Sequence, residues 1–347
     1  MGMGVNLAPI LVKNKIRFED LSGKTIAVDA NNVLYQFLAL IRTPDGTPLK
    51  SSDGIVTSHL AGLMYRSTRL IGDYEINLLF IFDGIPPKSK GTEITKRRRI
   101  REKAALEWRQ ALEERDYAKA FSKAVMTSRL TKPLIQDAKR LLSLLGIPYV
   151  QAPGEAEAQA AHMTAKEAAW ATGSRDFDSL LFGTPRLVRY LTLTGREFLP
   201  SKGISRRLEP ELIVLEELLS HCEMTREQLV DLAILIGTDF NEGVKGIGPK
   251  KALTLMREYG EIGNLPRSIK EEISPDYEEV RDIFLKPSID PDYVVNHGAL
   301  REVELYDFLC NQRGFSRERV TKIIERVKKS GSPMRQIDLD VWFPKEP

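Results

Sequence analysis

Short apolar runs that end on an acidic residue recur along the chain: Thr25 to Val28 before Asp29, Ile76 to Phe82 before Asp83, and Trp170 to Ser174 shortly before Asp176. Runs of this length predict buried parallel strands. Between them the apolar spacing becomes helical. Thr131 reads as an N-cap and Pro133 lies in the first turn. Leu134, Ala138, Leu141, Leu142 and Leu145 then recur at helical intervals until Gly146 and Pro148 stop the helix. Strands alternating with helices predict an α/β fold with a doubly wound, mostly parallel sheet, whose ligands bind beyond the carboxyl ends of the strands. Asp29, Asp83 and Asp176 fall at those ends, although any one of them could equally start a turn or cap the next helix.

The segment from about Lys88 to Arg129 breaks the alternation. It is charged, helix-favouring and poor in apolar residues, so it predicts a helical excursion from the core. After Arg207 the pattern is mostly helical, and after Ser330 the stretch GSPMRQIDLDVWFPKEP reads as a tail. The chain's net charge of +3 does not by itself imply nucleic acid, but its distribution is uneven. Eight basic residues lie between Lys88 and Lys103 against two acidic ones, leaving the remainder net negative. Such a division suits an enzyme that grips phosphates with one part and holds metals with another. Cys222 and Cys310 stand far apart with no metal-ligand spacing, which argues against a disulfide framework and for a reducing, intracellular setting. No apolar run is long enough for a membrane span, and no secretion signal is evident.

Carboxylates carry the candidate chemistry. In GSRDFDSLLFG, Asp176 and Asp178 are two apart and in an extended or turn conformation project to the same side, where they repel unless a cation or shared proton relieves them. In APGEAEAQAA, Pro153 reads as the first residue of a helix carrying Glu155 and Glu157. Two apart on a regular helix is about 200° of rotation, so these two share a site only near the helix start or through water; otherwise they are first-turn acids favoured by the helix dipole. Asp239 follows a helix that opens with the capping box Thr225 to Gln228 and ends at Gly237. The four histidines form no zinc pattern, and an all-oxygen site favours Mg²⁺, with Mn²⁺ as a substitute.

Taken together, AVDANNVLYQF, FIFDGIPP, APGEAEAQAA, TGSRDFDSLLFG and GTDFNEGVKGIGPKKA resemble the motifs of the flap endonuclease family, in the same order, from about Gly4 to the C-terminus. The resemblance is closest to archaeal members. It implies a 5′ nuclease domain over 1–330, with a helical arch at 88–130 and a helix-two-turn-helix element at 225–260, and a tail at 331–347. It further implies two Mg²⁺ ions, one served mainly by Asp29, Asp83, Glu155 and Glu157, the other mainly by Asp176, Asp178 and Asp239. The implied reaction is cleavage where a single-stranded 5′ flap meets duplex, leaving a 5′-phosphate and a 3′-hydroxyl, with 5′ exonuclease activity, in Okazaki-fragment maturation and repair.

Lys90 and Arg97 match the family's catalytic cations, and seven residues on a helix bring both to one face, within about 20° of two turns. The alternative is an ordinary solvated helix with i,i+4 pairs such as Glu93 to Arg97. Tyr35 matches a tyrosine that stacks on a base; without the resemblance it reads as core. GVKGIGPKKA is similar to an element that grips duplex backbone, with Gly246 and Gly248 allowing close approach, Lys250 and Lys251 at the next helix start, and backbone carbonyls holding K⁺. Gln336, Leu339, Trp342 and Phe343 resemble a sliding-clamp-binding box, with Trp342 where phenylalanine is commoner. The expected partners are branched DNA and a sliding clamp, and the expected state is a monomer. Met3-Gly4 aligns with the family's usual start, so Met1-Gly2 is extra. A noncatalytic binder of DNA structure with this fold, or a gap nuclease or 5′ exonuclease sharing the chemistry, is the competing reading.

Overall fold

The structure, a computed structural model, describes residues 4–87, 91–192, 196–199 and 204–329. In chain order the elements are β1 (Asn14–Lys15), β2 (Thr25–Asp29), α1 (Ala30–Leu40), α2 (Ser58–Tyr74), β3 (Asn77–Phe82), α3 (Gly91–Glu113), α4 (Tyr117–Val125), α5 (Lys132–Leu145), β4 (Tyr149–Gln151), α6 (Ala156–Ala165), β5 (Ala171–Gly173), α7 (Asp178–Leu181) and β6 (Arg186–Arg189). There follow β7 (Arg196–Leu199), β8 (Ile204–Arg207), β9 (Glu211–Val214), α8 (Leu215–Cys222), α9 (Arg226–Ile236), α10 (Pro249–Tyr259), α11 (Arg267–Lys270), α12 (Tyr277–Leu285), α13 (Glu302–Tyr306) and α14 (Arg317–Lys329).

Seven strands form one sheet in the order β1-β9-β6-β5-β2-β3-β4, while β7 and β8 pair separately. The neighbours from β4 to β6 are parallel, and β9 runs antiparallel to both β6 and β1. From β2 the chain winds outward through β3 and β4, then returns to the other side of β2 with β5. The switch point therefore lies at β2, and a crevice opens at the carboxyl ends of β2, β3 and β5. The sequence pattern gives β2, β3 and β5 but not β6 or β9. The latter interrupts the stretch after Arg207 that reads as helical, because each of its four residues pairs with one on β6, three of those partners being buried.

Alternation within the strands sorts the core into two faces. Ile26, Val28, Leu78, Phe80 and Phe82 pack under α1, α2 and α5, while Ala27, Leu79 and Ile81 face Ala156, Ala160 and Met163 of α6. The alanines bring α6 close to the sheet, which sets its N-terminus beside the crevice. A third cluster joins α7, α8, α9, α10 and α12. The α5 boundaries follow the sequence signals: Thr131 is the N-cap and Gly146, at φ 75°, closes the helix in a left-handed conformation suited to glycine.

Within the 88–129 excursion, α3 and α4 form a helical hairpin. Ala104 and Ala111 of α3 and Ala120 and Ala124 of α4 are buried, Lys123 Nζ meets Glu107 at 2.6 Å, and Trp108 Nε1 donates to the Asp45 carbonyl at 3.0 Å. Its base is thus fastened to the loop after α1.

His59 on α2 is fully buried, and neither ring nitrogen finds a partner among the described residues. Burial, opposed by Asp137 and aided by Arg313, brings its pKa down to about 4. Protonation in the unfolded chain starts near 6.5, so the fold keeps its full stability above that pH and loses it as pH falls toward 4. We expect the protein to be about 2 kcal/mol less stable at pH 5 than at pH 7 through this residue alone. Urea denaturation of the parent and His59→Gln at both pH values checks this; equal pH dependence in the two proteins refutes it.

Candidate active site

Seven carboxylates arrive at one crevice from separate elements. Asp29 ends β2 and also caps α1, accepting the Asn32 amide at 3.0 Å, so the two roles open to a strand-ending aspartate coincide. Asp83 follows β3 and accepts from Asn31 Nδ2 at 2.7 Å and from the Ala156 amide at 2.8 Å, tying α1 to the start of α6. Asp176 accepts from Asn32 Nδ2 at 2.6 Å. Glu157 accepts from the Ser174 and Ser179 hydroxyls at 2.7 and 2.9 Å. Asp178 is the first residue of α7 and accepts the Val5 amide at 2.8 Å. Asp239, in the loop after α9, pairs with Arg97 of α3 at 2.6 Å.

Pro153 does not start the helix that carries the glutamates. α6 begins at Ala156, and Glu155 is its N-cap in extended geometry, at φ −72° and ψ 134°. Because Glu155 lies outside the helix, the 200° offset of a regular helix does not apply, and both glutamates face the same cavity. Asp176 and Asp178 reach it together as well, although Asp178 is helical and the pair is not extended.

The cavity is about 90 Å³, and its walls include all seven carboxylates with Tyr35, Asn31, Asn32 and Arg97. Burial, and then the neighbouring Asp83, drives Asp29 well above the ordinary carboxylate range. Burial and then Asp178 do the same to Glu157. Asp176 is pushed up to about 6 by burial and by Asp239. Clustered, desolvated carboxylates of this kind either retain protons or gather cations.

Divalent ions fit the crevice. Among the described residues no three His, Cys, Asp or Glu side chains stand close enough together to hold a metal ion by themselves. Asn31 Oδ1 is buried beside Asp83 with no partner among the described residues, an acceptor that a metal-bound water can satisfy. No histidine or cysteine lines the cavity.

Tyr35 is half-buried and faces the cavity rather than the core. Arg97 reaches it from the hairpin. Beside it a second cavity of about 910 Å³ lies between α3 and the loop after α9, with Thr95, Lys96 and Arg99 facing Asp239 and Glu242. Lys90 lies outside the described residues, as do Gln336, Leu339, Trp342 and Phe343. Gly246, Gly248, Lys250 and Lys251 are exposed where the loop after α9 enters α10. Gly246 adopts φ 79°, and nothing within 4 Å would obstruct a β-carbon at either glycine, leaving room for another backbone.

Sequence reasoning missed Asn31, Asn32, Ser174 and Ser179, whereas the alignment of Met3-Gly4 with the family's start had implied a glycine near the site. Two adjacent asparagines in the first turn of an otherwise apolar helix were the available signal. At Gly4, φ is 103° and a β-carbon would sit 2.7 Å from Asp178 Oδ1, a fit only glycine permits.

Over 342 residues the chain is 45% identical to flap endonuclease 1 from Thermococcus onnurineus (strain NA1), covering 98% of this chain and 99% of that one. The chain belongs to the flap endonuclease family. Flap endonuclease 1 from Pyrococcus furiosus (strain ATCC 43587 / DSM 3638 / JCM 8422 / Vc1) is also 45% identical, with 98% and 99% covered. The XPG N-terminal domain matches residues 3–104 and the XPG I-region residues 146–239. Among solved structures, flap endonuclease-1 from Methanococcus jannaschii aligns at 38% identity with a TM-score of 0.74, covering 94% of this chain and 98% of that one. The catalytic core of Rad2 in complex with DNA substrate aligns at 25% identity and 0.66, covering 92% and 97%. This flap endonuclease is therefore a structure-specific 5′ flap nuclease, a metal-dependent hydrolase on a mixed α/β scaffold. No helix among the described residues is long and apolar enough to cross a membrane.

Proposed function

We propose that this flap endonuclease hydrolyses one phosphodiester beside the junction of a 5′ flap with duplex DNA, using two Mg²⁺ ions at the seven-carboxylate crevice. The convergence of all seven on one small cavity carries this reading. Asp29, Asp83, Glu155 and Glu157 would hold one ion and Asp176, Asp178 and Asp239 the other, some through water. When bound, a pair of divalent ions activates a water and stabilises the leaving oxygen of an in-line displacement. The chain's own groups orient and neutralise. Asn31 and Asn32 fix Asp83 and Asp176 by amide hydrogen bonds. Arg97 brings positive charge to a site where two divalent ions offset only four of seven negative charges. Its Asp239 contact supplies a counter-charge that a metal replaces, freeing the guanidinium for the scissile phosphate. Lys90 would act beside it, and Tyr35 would stack on a base next to the cut.

Duplex DNA would lie along the loop from Gly246 into α10, with Lys250 and Lys251 on phosphates and K⁺ at the loop carbonyls. The Rad2 core was solved with a DNA substrate, which supports DNA as the partner here, and the flap reading makes that DNA branched. The tail from Gln336 to Phe343 would dock a sliding clamp, and the enzyme would work as a monomer in Okazaki-fragment maturation and repair.

Incubation with a labelled double-flap DNA tests the reading. With Mg²⁺ we expect incision at the junction, leaving a 5′-phosphate and a 3′-hydroxyl, and with excess chelator none above background. Tight DNA binding without metal-dependent incision would overturn it in favour of a noncatalytic binder.

A further inference from the structure

Asp176 lies in the short connection between β5 and α7, and Asp178 begins α7. The two carboxylates are close in sequence and like-charged, Asp178 buried and Asp176 partly so, and something must stop the connection from relaxing away from its neighbours. The flanking contacts identify Arg189, at the end of β6. Arg189 Nε donates to the Arg175 carbonyl at 2.8 Å, immediately before Asp176. The same guanidinium lies over the Phe177 ring, 4.1 Å from its centroid, immediately after Asp176. One planar group thus holds the chain on both sides of one carboxylate.

Arg189 is itself fixed. It is 7% exposed, its Nη1 meets Glu211 Oε2 at 3.0 Å, and β6 and β9 place these residues directly opposite each other in antiparallel register. Tyr190, in a left-handed conformation at φ 58°, covers the guanidinium from another side at 4.7 Å. Glu211 balances the charge, so Arg189 serves as a rigid strut from β6, where the sheet turns antiparallel, to the metal-facing connection. A lysine in its place keeps the charge but cannot donate in a plane and stack at once.

We propose that Arg189 is a positioning residue that sets Asp176 and Asp178 for joint binding of a divalent ion, acting through the Arg175 carbonyl and the Phe177 ring. This rests on the reading of the crevice as a metal site, and one experiment separates the two. Mn²⁺ binding to the full chain without DNA is measured by electron paramagnetic resonance for the parent, Arg189→Lys and Phe177→Leu, together with thermal unfolding. The expected result is Mn²⁺ affinity about tenfold weaker in Arg189→Lys and about threefold weaker in Phe177→Leu. The parental unfolding temperature should be nearly retained. In cleavage assays, kcat should fall at limiting Mg²⁺ and recover at high Mg²⁺, with KM for DNA unchanged. Parental Mn²⁺ affinity in folded Arg189→Lys overturns the positioning role. If that variant does not fold, parental affinity in Phe177→Leu overturns it instead. A parent that binds no Mn²⁺ overturns the metal-site reading, and the positioning role with it.

Discussion

Replacing Asp178 with alanine is expected to lower kcat on a 5′ flap by about 10³-fold while leaving DNA affinity within about threefold. Loss of a carboxylate from a metal-assisted displacement removes several kcal/mol of transition-state stabilisation, and 4 kcal/mol is about a thousandfold in rate. Asp178 faces the cavity and not the exposed loop into α10, so the duplex grip is untouched. Stability should not fall with activity. Asp178 is the largest charge raising the Glu157 pKa, so its removal relieves repulsion that offsets the lost Val5 hydrogen bond. Single-turnover cutting and fluorescence anisotropy on the same flap DNA, the latter with chelator, check the prediction. Parental turnover, or binding lost in proportion to cutting, refutes it.

Arg97→Ala should show the second largest effect, a fall of about 10² to 10³ in kcat, the size seen when a preorganised donor to a transition state is removed. The side chain retains 26% exposure beside Asp239, so it is held near the crevice without being locked in the core. If Arg97 acted only as a structural partner of Asp239, its loss would alter metal affinity first. The expected result is instead a kcat defect that excess Mg²⁺ does not correct, partly restored by Arg97→Lys. Full recovery at high Mg²⁺ would show that the residue acts only through Asp239.

The architecture was legible where one residue's neighbours in sequence are also its neighbours in space. Apolar runs marked β2, β3 and β5, and the capping box at Thr225 and Gln228 marked α9, because period and cap chemistry are local. β6 and β9 were not legible, since RLVR sets only two apolar residues between arginines and ELIV runs directly into the helical LEELL. Pro153 misled for a related reason. Proline is compatible with a first helical turn, but Gly84 packs against the Ala152 and Pro153 carbonyls, leaving no space for a β-carbon, and the amides of Gly84 and Ile85 bond to the Gly154 and Pro153 carbonyls. That contact keeps the segment out of the helix until Glu155. In the crevice, the acidic residues were visible as chemistry, whereas Asn31, Asn32, Ser174 and Arg189 were not. Amides, hydroxyls and a strand arginine are common, and their meaning comes only from what they touch.

The span of those contacts governs when a newly made chain becomes able to cut. The Val5 amide waits for Asp178, 173 positions later, Asn32 waits 144 positions for Asp176, and Arg97 waits 142 for Asp239. Synthesis runs at about 5–20 residues per second, and a chain still on the ribosome has only six of the seven carboxylates until residue 239 is added. Contacts this distant also form late in folding, once shorter loops have closed. Hydrolytic competence therefore cannot precede residue 239, and a chain terminated before it lacks a complete crevice.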